Sequence, residues 1–231
     1  MARISPRSLA GIELLADLPP DDIAKLEQLS GWSNYAAKEQ ILDRLSEGTD
    51  VYFVVDGRVQ ILNYSPAGRE VSFAEVDRGG YFGELSALDK RRRSASAMAI
   101  TETTLASLTA DTFRSLLLDQ PKIAWVVLQH LAHMVRATDA RIMDLSTLSA
   151  INRVHAEIRR LAEPSEDDDN VGVIRPIPTH SVIASRVGTT RETVSRVLSN
   201  LVTVRIVERG RDAITVLDLQ RLSKIIEDSG E

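Results

Sequence analysis

The sequence contains no cysteine. This excludes disulfides, a thiolate-held iron–sulfur cluster and a thiol sensor, and fits an expected cytoplasmic location. Also missing is any apolar run approaching the ~20 residues of a membrane-crossing helix. The longest candidate, Ile123 to Leu128, is far too short, so no membrane partner is expected. Glu13 and Asp17 interrupt the first apolar stretch, which therefore does not read as a signal peptide. Histidine is scarce. His130 and His133 lie one helical turn apart without an evident third ligand, so no metal site is expected. No convergent histidine and carboxylate set and no nucleophile motif stand out, which argues against an enzyme. Positive charge is also in deficit. The net charge of −5 speaks against indiscriminate nucleic-acid binding but leaves room for a local basic face.

Present in full measure is material for packed cores. The 231 residues are 43% hydrophobic, enough for one large or two modest domains. One stretch carries clear chemistry, Tyr81 to Ile100, YFGELSALDKRRRSASAMAI. Gly83 is followed by Glu84 and Leu85; nine positions after Glu84 comes Arg93, then the small residues Ser94 and Ala95. The intervening LSAL can form a helical turn, whose free backbone N–H groups and dipole suit a phosphate. Gly83 lets the backbone approach a ligand closely. Arg93 offers a planar fork that matches phosphate. An acid beside a phosphate site makes sense when it accepts from a sugar hydroxyl. One anionic phosphate and one free ribose hydroxyl describe a cyclic nucleotide. Arg91, Arg92 and Arg93 compete for the role; Arg93 is favoured because small residues follow it directly.

Around this stretch, residues 1–34 read as short helices, with Leu9, Ile12 and Leu15 at helical spacing and Asp21-Asp22 after Pro19-Pro20 as a helix start. From about Tyr35 to Leu108, short β-rich runs are joined by turn signals at Asp56-Gly57, Pro66-Ala67-Gly68 and Gly79-Gly80. This predicts a sandwich or barrel-like roll over residues 1–120. A short helix over 108–118, capped at Thr109 or Asp111, leads to a long helix from Pro121 to about Leu148. In that helix Ala124, Leu128, Leu131, Val135, Thr138, Ile142 and Leu145 alternate steps of four and three, a heptad seam. A seam of two per heptad is narrower than a globular core face and predicts a second copy of the same helix in a twofold dimer. Leu148-Ser149-Ala150 is a candidate hinge, which makes 121–150 a dimerisation helix and hinge.

Residues 151–231 open with a helix to about Ala162, then the acidic loop Glu163 to Asn170. HSVIASRVGTTRETVSRVLSNL follows, with small Ala184, a turn at Gly188, and Ile183, Val187, Val194 and Val197 as the apolar face: a helix-turn-helix. Its second helix leaves Thr190, Arg191, Glu192, Ser195, Arg196 and Ser199 facing out, types that can read base edges. From Arg175 to Arg211 there are seven arginines against two acids, an excess of five positive charges on an acidic chain. RIVERGRDAITVLD reads as a wing hairpin turning at Gly210, and 219–228 as a last helix.

A G-E-L…R-S-A cassette, a long dimer helix and a winged helix-turn-helix in this order resemble the CRP/FNR family of bacterial transcription regulators. The resemblance is closest to the cyclic-AMP receptor protein branch, whose recognition helix is similar to TTRETVSR. It implies an α+β fold: an N-terminal cyclic-nucleotide-binding β-roll, jelly-roll-like, with flanking helices; a long dimerisation helix; and a C-terminal winged helix-turn-helix. It implies that Glu84 binds ribose while Arg93 and Ser94 hold phosphate, and that Arg191, Glu192 and Arg196 read a TGTGA-like half-site of double-stranded DNA. It places Thr138 at an adenine-contacting threonine. The next position, usually a serine reaching the partner's ligand, is Asp139, a departure that opens the site to cyclic GMP beside cyclic AMP. In the cyclic-AMP receptor protein, the loop corresponding to the acidic loop touches RNA polymerase, a further expected partner. A competing expectation keeps the DNA binding but makes the roll constitutive or responsive to another effector.

Overall fold

The computed structural model describes residues 7–68, 70–165 and 167–228. Two compact units divide the chain at Met1–His133 and Met134–Glu231, the boundary falling within the long helix. In the first unit a 3₁₀ turn, Glu13–Leu15, precedes α1 (Pro20–Leu29). Pro20 sits at the first helical position, where its fixed φ and missing N–H suit the helix start, and Asp21 and Asp22 complement the dipole.

The roll is built from β1 (Gly31–Tyr35), β2 (Gln40–Leu42), β3 (Val51–Asp56), β4 (Arg58–Tyr64), β5 (Glu70–Asp77), β6 (Tyr81–Phe82), β7 (Ser96–Ala99) and β8 (Thr103–Leu108). Its strands form two antiparallel sheets, in the orders β1-β8-β3-β6 and β2-β7-β4-β5. Strand structure thus begins at Gly31, earlier than the expected Tyr35. β1 exists through its pairing with the distant β8, Gly31 opposite Ser107 and Tyr35 opposite Thr103, and its residues lack the alternation that would reveal it locally.

A single helical interruption, α2 (Glu84–Asp89), lies between β6 and β7; α3 (Ala110–Asp119) and α4 (Pro121–Thr147) follow β8. Thr109 caps α3 by accepting from the Thr112 N–H. Val54, Val59, Phe82, Ala97 and Leu105 fill the roll interior. Phe53, on the opposite face of β3, packs instead with Leu9, Leu15, Phe113, Ile123 and Val127 against the helices. β3 is therefore covered on both faces, and its register with β6, Tyr52 opposite Phe82 and Phe53 opposite Tyr81, fixes where the chain enters α2.

The second unit holds the last turns of α4, then α5 (Ala150–Leu161), β9 (Glu163–Pro164), β10 (Gly172–Ile174), α6 (His180–Val187), α7 (Arg191–Thr203), β11 (Val207–Arg209), β12 (Ile214–Val216) and α8 (Leu219–Glu227). Its sheet runs β11-β12-β10-β9. The acidic stretch is thus the connection of a hairpin, β9 to β10, closed by the Ser165 N–H donating to Val171 O at 2.8 Å. Val154, Ile158, Ile183, Val194, Leu198, Leu201 and Leu222 form the core between α5, α6, α7 and α8. Ser149 caps α5 through the Asn152 N–H, marking the expected break after α4.

Glu157 is 2% exposed in this unit. A buried carboxylate requires partners. Arg160 donates to it at 2.6 Å and to Asp144 of α4 at 2.6 Å, and Arg186 of α6 donates at 3.3 Å. Arg153 donates to the carbonyls of Leu148 at 3.0 Å and Val187 at 2.8 Å. Two guanidinium-centred networks therefore tie the end of α4 to α5 and to the helix-turn-helix.

Candidate nucleotide pocket and nucleic-acid interface

In the first unit, Gly83 sits at the N-terminal cap of α2 with φ 87°, the left-handed region. A β-carbon there would lie 2.8 Å from Arg93 Nη1 and 2.9 Å from the Asp50 carbonyl, so both backbone conformation and space require glycine. Arg93 is 2% exposed; its Nη1 donates to Gly83 O at 3.0 Å and Nη2 to Asp50 O at 2.8 Å. Its guanidinium carbon lies 5.7 Å from the centre of the Tyr52 ring, which stacks on Phe82. The backbone is pinned too: Arg93 N–H donates to Ser46 O at 3.1 Å and Leu45 N–H to Arg93 O at 3.0 Å. Arg93 Nε is buried and has no hydrogen-bond partner among the described residues.

The neighbouring arginines behave differently. Arg91 is exposed beside Asp89, and exposed Arg92 reaches Glu47 at 2.7 Å. Glu84 is 5% exposed. Burial pushes its carboxyl above the usual range, partly offset by its own backbone N–H and by Arg93. Leu85 is half-buried and Ser94 exposed, with Ser94 O accepting from Asn63 Nδ2 at 3.2 Å. The structure therefore gathers Gly83, Glu84 and Arg93 at one place. Tyr52 and the carbonyl of Asp50 join them there. Neither is visible in the cassette sequence, because both arrive from β3 and the loop before it.

Along α4, Ile123 and Val127 are buried in the roll's helical core, with Leu131 packed alongside. Leu128, Val135, Ile142 and Leu145 are each more than half exposed. Leu131, expected on the seam, thus also serves its own unit. Thr138 and Asp139 are exposed. The Thr138 hydroxyl donates to Met134 O at 2.8 Å, which leaves only its lone pairs for another group. Asp139 forms no ion pair with Arg136 or Arg141 among the described residues. The His130 ring centre lies 5.2 Å from that of Tyr81.

In the second unit, Gly188 ends α6 at φ 66° and Thr190 caps α7, accepting from the Thr193 N–H. Thr190 is therefore the cap rather than a member of the helix. Arg191, Glu192 and Arg196 are exposed and Ser195 half-buried. Glu192 and Arg196 do not pair with each other among the described residues. The Glu192 carboxylate is held below its usual range by its own backbone N–H, then by the Thr190 hydroxyl. Arg186, by contrast, turns inward to Glu157, its side chain 12% exposed. Gly210 N–H donates to Ala213 O at 2.9 Å, closing the wing between β11 and β12.

Residues 32–120 match the model of the cyclic nucleotide-binding domain, and 152–225 that of the Crp-like helix-turn-helix domain. The cyclic AMP receptor protein of Thermus thermophilus is 33% identical over 178 residues, 77% of this chain and 80% of that one. The chain belongs to the CRP/FNR family. A CRP-like cAMP-activated global transcriptional regulator of Mycobacterium tuberculosis is 28% identical over 218 residues, covering 94% of this chain and 97% of that one. The solved catabolite activator protein of Thermus thermophilus, 28% identical, superposes with a TM-score of 0.53 over 97% of this chain and 99% of that one. A CooA variant from Carboxydothermus hydrogenoformans shares the fold at a TM-score of 0.77 and 20% identity, over 97% and 98% of the two chains. As a CRP/FNR member the chain is a transcription regulator with a cyclic-nucleotide-binding domain and a DNA-binding helix-turn-helix, and it is not an enzyme. No described helix is long and apolar enough to cross a membrane.

Proposed function

We propose that the chain is a homodimeric transcription factor activated by cyclic AMP, which binds a palindromic TGTGA-like site. The observation that carries this reading is the buried guanidinium of Arg93. Two of its nitrogens are anchored to Gly83 O and Asp50 O, and Nε is left without a partner among the described residues. A buried cation with an unused N–H is prepared for an anion, and leaving that donor unmet is costly. The cyclic phosphate answers it, with Ser94 alongside. Glu84, at the first position of α2, accepts from the ribose hydroxyl.

Thr138 selects the base. Its hydrogen is committed to Met134 O, so it accepts from adenine N6, whereas guanine would present its O6 acceptor to the same lone pairs. Asp139, exposed and acceptor-only when ionised, suits the guanine N–H groups, so cyclic GMP binds as a weaker activator. Leu128, Leu131, Val135, Ile142 and Leu145 of two α4 helices form the dimer seam. Arg191, Glu192 and Arg196 then meet base edges in adjacent major grooves, ~34 Å apart, with Thr190 and Ser195 beside them. The acidic loop is a contact surface for RNA polymerase. The relatives named for cyclic AMP support the ligand assignment. DNA binding titrated against cyclic AMP and cyclic GMP in parallel tests it. Tight DNA binding that neither nucleotide alters would replace it with a constitutive or differently liganded regulator.

A further inference from the structure

Of the consecutive arginines Arg91, Arg92 and Arg93, the nucleotide site uses only the last. All three lie in the connection 90–95, between α2, which ends at Asp89, and β7, which begins at Ser96. No helix or strand holds this connection, and its side chains divide. Arg93 is buried, while Lys90, Arg91, Arg92 and Ser94 are exposed. The exposed arginines are lightly engaged: Arg91 Nε stands 3.8 Å from Asp89 and Arg92 Nη2 2.7 Å from Glu47, on side chains 84% and 62% exposed. Surface pairs of this kind contribute little, so a competing carboxylate replaces them at small cost. The Ser94 carbonyl accepts from Asn63 Nδ2, but the Ser94 hydroxyl makes no hydrogen bond among the described residues. A free hydroxyl thus stands on the surface with exposed guanidiniums two and three positions before it. Directly before it is the buried Arg93, whose Nε has no partner among the described residues.

We propose that Ser94 is a phosphorylation site, and that its phosphate and the cyclic nucleotide exclude one another. The modifying partner is a serine/threonine protein kinase with an acidic substrate cleft, the charge pattern that accepts Arg91 and Arg92. In the transfer the Ser94 Oγ attacks the γ-phosphorus of ATP. The Oγ–P bond forms, the bond from that phosphorus to the β,γ-bridging oxygen breaks, ADP leaves, and the hydroxyl proton passes to the kinase's carboxylate base. Nothing is oxidised or reduced. The product carries a charge of about −2 at neutral pH and strong acceptor oxygens. The inference rests on the reading that sets the cyclic phosphate against Arg93 with Ser94 alongside. A phosphate on Ser94 then takes up the same place. It gives Arg93 Nε an acceptor from within the chain and repels the phosphate of an arriving nucleotide. The reverse holds as well: a bound nucleotide covers the Ser94 hydroxyl and withholds it from the kinase. The regulator is thereby disarmed by a covalent signal that uses its own anion site.

The test uses the full-length protein, ATP and the catalytic domain of an arginine-directed serine/threonine kinase that carries no nucleotide-binding regulatory subunit. Mass spectrometry locates the phosphate, and calorimetry measures cyclic AMP binding before and after modification. Incorporation is expected at Ser94 in the nucleotide-free protein, to be lost in Ser94→Ala, and to be suppressed by saturating cyclic AMP. Arg91→Ala combined with Arg92→Ala should slow it at least about tenfold, because the kinase's charged contacts go unmet. The same double variant should keep nearly the wild-type affinity for cyclic AMP, which assigns these arginines to the kinase and not to the nucleotide. The protein phosphorylated at Ser94 should bind cyclic AMP at least about 100-fold more weakly, the effect of like charges brought together, with a melting temperature no lower than before. Phosphoserine placed at position 94 during synthesis should give the same loss without any kinase. Absence of incorporation at Ser94 overturns the proposal. So does a phosphorylated protein that binds cyclic AMP as the unmodified one does, or that loses binding only because it has unfolded. Each of these leaves the nucleotide reading standing. Failure of the unmodified protein to bind cyclic AMP overturns that reading and the mutual exclusion together.

Discussion

Arg93 and Gly83 are locked to each other: Nη1 of the arginine donates to the carbonyl of the glycine at 3.0 Å, across the short helix that separates them in sequence. Removing one member of a buried charge pair costs ~2–5 kcal/mol. Arg93→Ala is therefore expected to weaken cyclic AMP binding at least roughly 30-fold, while Arg91→Ala, on an exposed side chain, should change it little. Isothermal calorimetry on both variants checks this. Equal losses would mean a diffuse basic patch.

Glu84 gives an opposite result in the free and liganded protein. Its carboxyl is raised above 4.5 mainly by burial. Between the unfolded and folded pKa values, rising pH therefore removes stability, because the folded state holds the proton more tightly. Glu84→Gln should raise the melting temperature of the nucleotide-free protein at neutral pH and flatten its dependence on pH within that range. The same variant should weaken cyclic AMP binding, since an amide replaces a charged acceptor of the ribose hydroxyl. Thermal scans with and without nucleotide decide the matter; a lowered melting temperature without nucleotide would refute the burial argument.

Arg196 and Arg186 lie on the two helices of the motif but face opposite ways. Arg196→Ala should cost about 1–3 kcal/mol on the cognate site and relax preference at one base pair, read by competition with single-base variants. Arg186→Ala should instead destabilise the second unit, because Glu157 loses one of its partners, and should leave base preference unchanged. Equal weakening on all sequences by Arg196→Ala would remove its base-reading role.

Thr138→Val removes the acceptor while keeping the shape. It should weaken cyclic AMP more than cyclic GMP in calorimetry with both nucleotides. Asp139→Ser should do the reverse, weakening cyclic GMP selectively. Unchanged relative affinities in Asp139→Ser would take this side chain out of the account.

Charge placed on the exposed stripe of α4 should separate protomers. Val135→Asp combined with Ile142→Asp is expected to give a monomer in sedimentation while the circular dichroism of both units stays close to wild type. A dimer that survives the double change would place the interface elsewhere.

Much of this was legible in the residues because it is local. The turns at Gly57, Gly68 and Gly79 do take positive φ, the cap Thr109 lies where its short polar side chain precedes apolar periodicity, and the expected break at Leu148-Ser149-Ala150 falls where Ser149 caps α5. The small residues after Arg93 pointed to the arginine that the structure buries. What stayed hidden depends on distant partners. β1 is defined by β8, and β10 by β12, strands far along the chain. Glu157 reads as an ordinary helix-surface acid until Arg186, 29 positions later, folds against it. That ion pair turns Arg186 inward, although it lies on the first helix of the motif. Tyr52 carries no local sign that its ring will lie beside Arg93.

Leu128, Val135, Ile142 and Leu145 are more than half exposed on a single chain. In the proposed dimer this makes abundance an input in its own right. Below the dissociation constant the population of paired chains grows with the square of the total, so halving expression lowers the DNA-competent species about fourfold at fixed nucleotide. A cell could then silence the regulator by dilution during growth, without changing its second messenger.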